Sequence, residues 1–166
     1  MTISLRVTPM WDITEAHWET YKLNPRFAIY NPGASKNISD DIVFDKETGL
    51  VWERSPHPEK KESWDAAIVY SYTKILGGRK GWRLPTIEEL LSLVDPRQTN
   101  PSLPVGHPFN NVKLDYFYWS STLGMSSLPN YAWGYNFGND DTSNCLKSQK
   151  LYVWLVRGGY GHDYPY

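Results

Sequence analysis

The sequence predicts an α+β domain, and three observations carry that reading. Residues 63–78 hold one amphipathic helical pattern closed by a glycine pair. Gly81-Trp82-Arg83-Leu84-Pro85-Thr86-Ile87-Glu88-Glu89-Leu90 then fits a strand-like run, a proline stop and a second helix start into one short stretch. Residues 41–53 on one side and 118–157 on the other read as short strands and hairpins. Two helices set between groups of strands give the α+β class.

Taken in order, Asp12-Ile13-Thr14-Glu15 is a capping-box pattern, opening a short helix with Ala16, Trp18 and Tyr21 before Pro25. Asn31-Pro32-Gly33 marks a turn. Residues 1–40 are therefore expected to be an N-terminal extension, packed on the domain or on a neighbouring subunit, with the binding domain over 41–166. Asp41 to Asp45 and Gly49 to Glu53 are a strand pair around a glycine-bearing turn. Ser63 caps the first helix, whose face collects Trp64, Ala67, Ile68, Ser71, Tyr72 and Ile75 before Gly77-Gly78 ends it.

In the second helix Thr86 is the N-cap and Glu89 closes the capping box, with Leu90, Leu91 and Val94 as its apolar face. Pro96, Pro101, Pro104 and Pro108 make residues 96–117 a long irregular loop. Tyr118 to Thr122 is a strand. Ala132 to Phe137 is another, with Trp133, Tyr135 and Phe137 facing the core and Gly134 and Asn136 facing out. Gly138 to Asp141 reads as a turn, and Leu151 to Arg157 as the last strand.

Composition removes several function classes. The net charge is −1, so no global field draws nucleic acid or an anionic membrane, and neither is expected as a partner. The Lys74, Arg79, Lys80 and Arg83 cluster reads as a solvated helix end. One cysteine, Cys145, excludes an intrachain disulfide and a thiolate metal cluster, and reads as a small, partly buried hydrophobe. The N-terminus shows no signal-peptide run and no segment is apolar enough to span a membrane, so a cytoplasmic or particle-associated location is expected.

Catalytic patterns are weak. His17, His57, His107 and His162 lie far apart in sequence, and neither a nucleophile elbow nor a phosphate-cradling glycine loop is present. Glu88 and Glu89 are accounted for by the helix start. Asn139-Asp140-Asp141 carries oxygen ligands suited to calcium, yet the same residues supply tight-turn geometry, and the turn is the simpler reading. The expectation is a protein without catalytic residues, metal or cofactor. Trp52, Trp64, Trp82, Trp119, Trp133 and Trp154 are expected in the core, and Arg83 and Arg157 are expected to brace loops.

Five ordered motifs point to a family: Phe44 to Trp52, Gly81 to Thr86 with Glu89-Leu90, Tyr118 to Thr122, Ala132-Trp133 with Phe137, and Val156-Arg157-Gly158-Gly159. Together, over about residues 26–159, they resemble the Lcl C-terminal domain family of bacterial collagen-like adhesins. The resemblance implies a C-type-lectin-like fold: two helices flanking a small twisted antiparallel sheet, with long irregular loops on one side. It implies ligand binding, with adhesion to sulfated glycans in the namesake, and assembly as a homotrimer. The same fold hosts variable proteins of diversity-generating retroelements.

The candidate ligand-binding residues are Asn130, Tyr131, Asn136, Asn139, Asp140, Asp141 and Asn144, then Tyr160 and His162. Apart from His162 they are Tyr, Asn and Asp residues, read as lying on loops over a rigid scaffold, which is the chemistry of a binding surface. The expected function is a non-catalytic module that holds a protein or glycan, as an adhesin or a retroelement-diversified receptor. The alternatives are an enzyme of unassigned chemistry on the same scaffold, or an assembly component of a phage or secreted particle.

Overall fold

The computed structural model describes residues 18–20, 22–30, 42–56, 61–125, 127 and 129–158. Within them the protein is a mixed α and β structure with two helices and two five-stranded sheets, larger than the small sheet expected. The first sheet joins β1 (Trp18–Thr20), β2 (Phe27–Tyr30), β3 (Ile42–Asp45), β4 (Leu50–Glu53) and β10 (Val156–Gly158) in the order β1-β2-β3-β4-β10. The second joins β5 (Lys61–Glu62), β6 (Tyr118–Leu123), β7 (Tyr131–Asn136), β8 (Asp141–Leu146) and β9 (Leu151–Tyr152) in the order β5-β9-β6-β7-β8. Neighbours run antiparallel except β6 and β9, which pair in parallel at Tyr118 and Tyr152.

Several expectations change on contact with this topology. Trp18–Thr20, expected as helix, is a strand, because its main chain pairs residue for residue with Ala28 to Tyr30. The described part of residues 1–40 thus joins the first sheet through β2, and Phe27 is fully buried in the core. The hairpin of β3 and β4 forms as expected, with Gly49 at φ 71°. The single last strand is in fact two: the chain leaves the second sheet after Tyr152 and enters the first at Val156.

Helix α1 (Trp64–Thr73) buries Ala67 and Ser71 and ends one turn earlier than the sequence pattern suggests. Lys74 is already extended, which leaves Ile75 outside the helix and 54% exposed, and Tyr72, within the helix, is 71% exposed rather than part of the packed face. The reason is local. Leu76 and Arg79 exchange main-chain hydrogen bonds of 3.1 and 2.9 Å, and Gly77 and Gly78 between them take φ of 56° and 70°. Two successive positive φ values make a tight hairpin turn, so the glycine pair serves that turn and not the helix end.

Helix α2 (Ile87–Ser92) keeps its expected start. Glu89 N–H donates to Thr86 Oγ1 at 3.2 Å while Thr86 N–H donates to Glu89 Oε2 at 2.8 Å. Leu90 is fully buried, whereas Leu91 is exposed. Residues 93–117 contain no helix or strand, as the prolines foretold.

The inner strands of both sheets are covered on both faces. Alternate residues of one strand enter different clusters: Val43, Trp52, Tyr118, Tyr152 and Trp154 join α2 and the long loop. Ile42, Val51, Trp119, Leu151 and Val153 join α1 and the Trp82–Leu84 segment. Trp154 anchors the first cluster, with Trp52, Phe109, Tyr118 and Phe137 rings 5.0 to 5.5 Å away. Full coverage corrects the expected outward face of β7. Gly134 is buried because a side chain there would press on Tyr118 O and Leu151, and Asn136 is 3% exposed.

Candidate functional site

Strands β7 and β8 form a hairpin in continuous register, from Tyr131 opposite Leu146 to Asn136 opposite Asp141. Residues expected on loops, Asp141 and Asn144 among them, therefore lie on a strand. The hairpin also separates the candidates. Asn130, Tyr131 and Asn144 stand at one end and Asn136, Asn139, Asp140 and Asp141 at the other. Separated by three to six positions along the ladder, at about 3.4 Å per residue, the groups do not make one contiguous surface.

At the turn end the polar groups hold the turn itself. Asn136 Oδ1 accepts from Gly138 N–H at 2.8 Å. Asp140, at φ 53°, accepts from the Tyr135 hydroxyl, which lies 3.1 Å from Ser102 Oγ. Ser102 N–H in turn donates to Phe137 O at 2.9 Å, pinning the long loop to the hairpin. Burial and the neighbouring Asp140 carboxylate push the Tyr135 hydroxyl above its ordinary range, keeping it a neutral donor. Asn139 and Asp141 are exposed. Among the described residues no group of three or more His, Cys, Asp or Glu side chains could hold a metal.

The other end is open. A groove of about 600 Å³ lies where the start of α1 meets the hairpin, lined by Ser63, Asp65, Asn130, Leu146, Lys147 and Ser148. Main-chain bonds fix its walls: Trp64 N–H donates to Lys147 O, and Lys147 N–H to Asn130 O, each at 2.9 Å. The Lys147 ammonium sits 4.5 Å from the Trp64 ring centroid, and Trp64 Nε1–H donates to Ser120 O at 2.8 Å. Ser63 opens α1 without a side-chain capping bond. The groove thus offers two hydroxyls, an amide, one charge of each sign and the 39% exposed Leu146.

Beside it, Leu123 and Met125 are 55% and 59% exposed. Between them Gly124 N–H donates to Tyr131 O at 2.8 Å. A side chain at Gly124 would lie 3.0 Å from Asn144 Oδ1, a buried acceptor with no hydrogen-bond partner among the described residues. A second groove, about 680 Å³, runs between the Asn24–Arg26 and Glu47 region and the loop around Asp95, Arg97 and Val105. Its charges are already paired: Arg26 with Asp45 and Glu47, and Arg97 with Asp95.

Tyr160 and His162 lie outside the described residues, as do His17 and His57. His107 is half-buried, stacked on Phe109, and burial lowers its pKa. The Cys145 thiol is buried, and burial raises its pKa, consistent with a packing role. Ser63, Asp65, Leu146, Lys147 and Ser148 were not among the sequence candidates. Ser63 and Asp65 read as an ordinary helix start, and Lys147 joins the groove only through pairing across seventeen residues of chain.

These features define a two-sheet α and β domain with an open helix–hairpin groove among its described residues. The chain belongs to the Lcl C-terminal domain family, whose model matches residues 41–157, most of its length. No curated protein matches it.

Proposed function

We propose that the protein is a non-catalytic ligand-binding module of C-type-lectin-like architecture, holding a protein or glycan at the helix–hairpin groove in the manner of an adhesin. Family membership supports an adhesin-like surface domain. The observation that carries the reading is the contrast between the two hairpin ends. At the turn the Asn136 and Asp140 side chains are taken up by Gly138 and Tyr135, while Asn130, Leu146, Lys147 and Ser148 line an open groove built on rigid main-chain pairing. Rigid walls with mixed polar and apolar groups are what a recognition site requires.

The test is a screen of glycans and surface proteins with wild type, Asn130→Ala and Asn139→Ala. Binding lost in Asn130→Ala and retained in Asn139→Ala supports the groove. Equal loss in both, or no ligand at all, contradicts it.

A further inference from the structure

Among the described residues strand β8 is the last strand of the second sheet, and its outer edge is only partly closed. Lys147 bonds Asn130, so by the two-residue alternation of an antiparallel ladder Cys145, Ser143 and Asp141 turn their main-chain groups toward β7. Thr142, Asn144 and Leu146 turn theirs off the sheet. Gln149 occupies the Leu146 position on both sides: its N–H donates to Leu146 O at 2.8 Å, and its Oε1 accepts from Leu146 N–H at 2.9 Å. Thr142 and Asn144 show no such cover among the described residues. Neither proline nor lysine interrupts Asp141–Leu146, the devices that usually blunt an edge.

We infer that this edge takes an extended peptide strand from a protein partner, with Thr142 and Asn144 supplying the main-chain bonds. The inference rests on the binding-module reading above and adds a second contact surface, which meets the groove at Leu146. Main-chain pairing to an open edge gives such complexes their affinity, and side-chain contacts give specificity. Exposed Asp141 lies at one end of the edge and exposed Leu146 at the other. They call for a basic residue and an apolar residue on the incoming strand. A second copy of this chain fits worse. The antiparallel register that engages all four free groups pairs Thr142 with Asn144, which sets Asp141 against Cys145 and Leu146 against Asp140.

The probe is a library of short random linear peptides displayed on phage and selected on the full chain. A selected peptide is then synthesised with single N-methyl groups along its backbone. N-methylation at alternate residues is expected to weaken binding about tenfold, with the intervening positions unaffected, since each removes a hydrogen bond of the edge pair. Amide exchange at Thr142 and Asn144 should slow on binding. Thr142→Pro removes one outward N–H at an edge site that tolerates proline and should weaken binding similarly. Should that variant fail to fold, the N-methyl scan on the wild-type protein still decides.

Selection of no linear peptide, or N-methyl effects without alternation, would overturn the inference. Self-association abolished by Thr142→Pro would assign the edge to a second copy and overturn it too. A glycan ligand lost in Asn130→Ala but indifferent to Thr142→Pro would sink the peptide strand while leaving the binding module standing.

Discussion

The Arg83 guanidinium grips the Glu89 carboxylate with two parallel hydrogen bonds, Nη1 to Oε2 and Nη2 to Oε1, both 2.6 Å. Nη2 also donates to Gly158 O at 3.0 Å, and Glu89 Oε2 takes the Thr86 N–H. One carboxylate therefore caps α2 and, through Arg83, ties its start to β10.

Arg83→Lys should lower stability by about 2 kcal/mol, because an ammonium cannot make the paired, planar contact. Denaturant titration checks this. A change within experimental scatter would mean the contact is ornamental to the fold.

The Tyr135–Asp140 bond makes a sharper prediction about the hairpin turn. Tyr135→Phe and Asp140→Ala should each cost about 1 kcal/mol, the net worth of a part-buried hydrogen bond. Asn139→Ala, at an exposed neighbour, should be neutral. If Asp140→Ala were also neutral in stability yet abolished ligand binding, Asp140 would be a ligand contact and not a turn brace.

Glu53 predicts a pH dependence. Its carboxyl is buried between β4 and the sheet-switching segment, where Oε2 accepts from Leu155 N–H at 3.3 Å. Burial pushes its pKa up to about 7, against the opposing pull of Lys74 and the Leu155 bond. The folded protein thus holds this proton more tightly than the unfolded chain. The associated stability is complete below the ordinary carboxyl range and is lost as pH rises through about 7. Unfolding free energies of wild type and Glu53→Gln should diverge by roughly 3 kcal/mol between pH 4.5 and 8. Parallel profiles would contradict the assignment.

Gly138 tests how closely the long loop packs on the turn. A Cβ there would overlap the Leu114 carbonyl, a main-chain atom that cannot swing aside. Gly138→Ala should cost about 2 kcal/mol or more through overpacking. Thermal denaturation reads the loss.

Much of the fold was legible because its signals are local. Thr86 and Glu89 sit three residues apart, and the capping box they announce is present. The β3–β4 hairpin and the proline-rich loop were readable for the same reason. What failed was non-local. Trp18–Thr20 is a strand only because β2 lies beside it, and Gly134 and Asn136 are buried only because a second layer covers their face. Strand β8 reads Asp-Thr-Ser-Asn-Cys-Leu, a polar run with Thr142 as its one β-branched residue and no aromatic, so it passed for loop. That error hid the geometry of the site. Asn130 was singled out for its chemistry, but the groove it lines is assembled from the start of α1 and the end of β8, which meet through Trp64 and Lys147.

The central claim is that recognition occurs at the helix–hairpin groove. Backbone amide NMR of the labelled protein, titrated with the strongest ligand from the glycan and protein screen, tests it most directly. The account predicts that shifts cluster at Asn130, Leu146, Lys147 and Ser148. Shifts confined to Asn139–Asp141, or to the loop around Asp95 and Arg97, would contradict it.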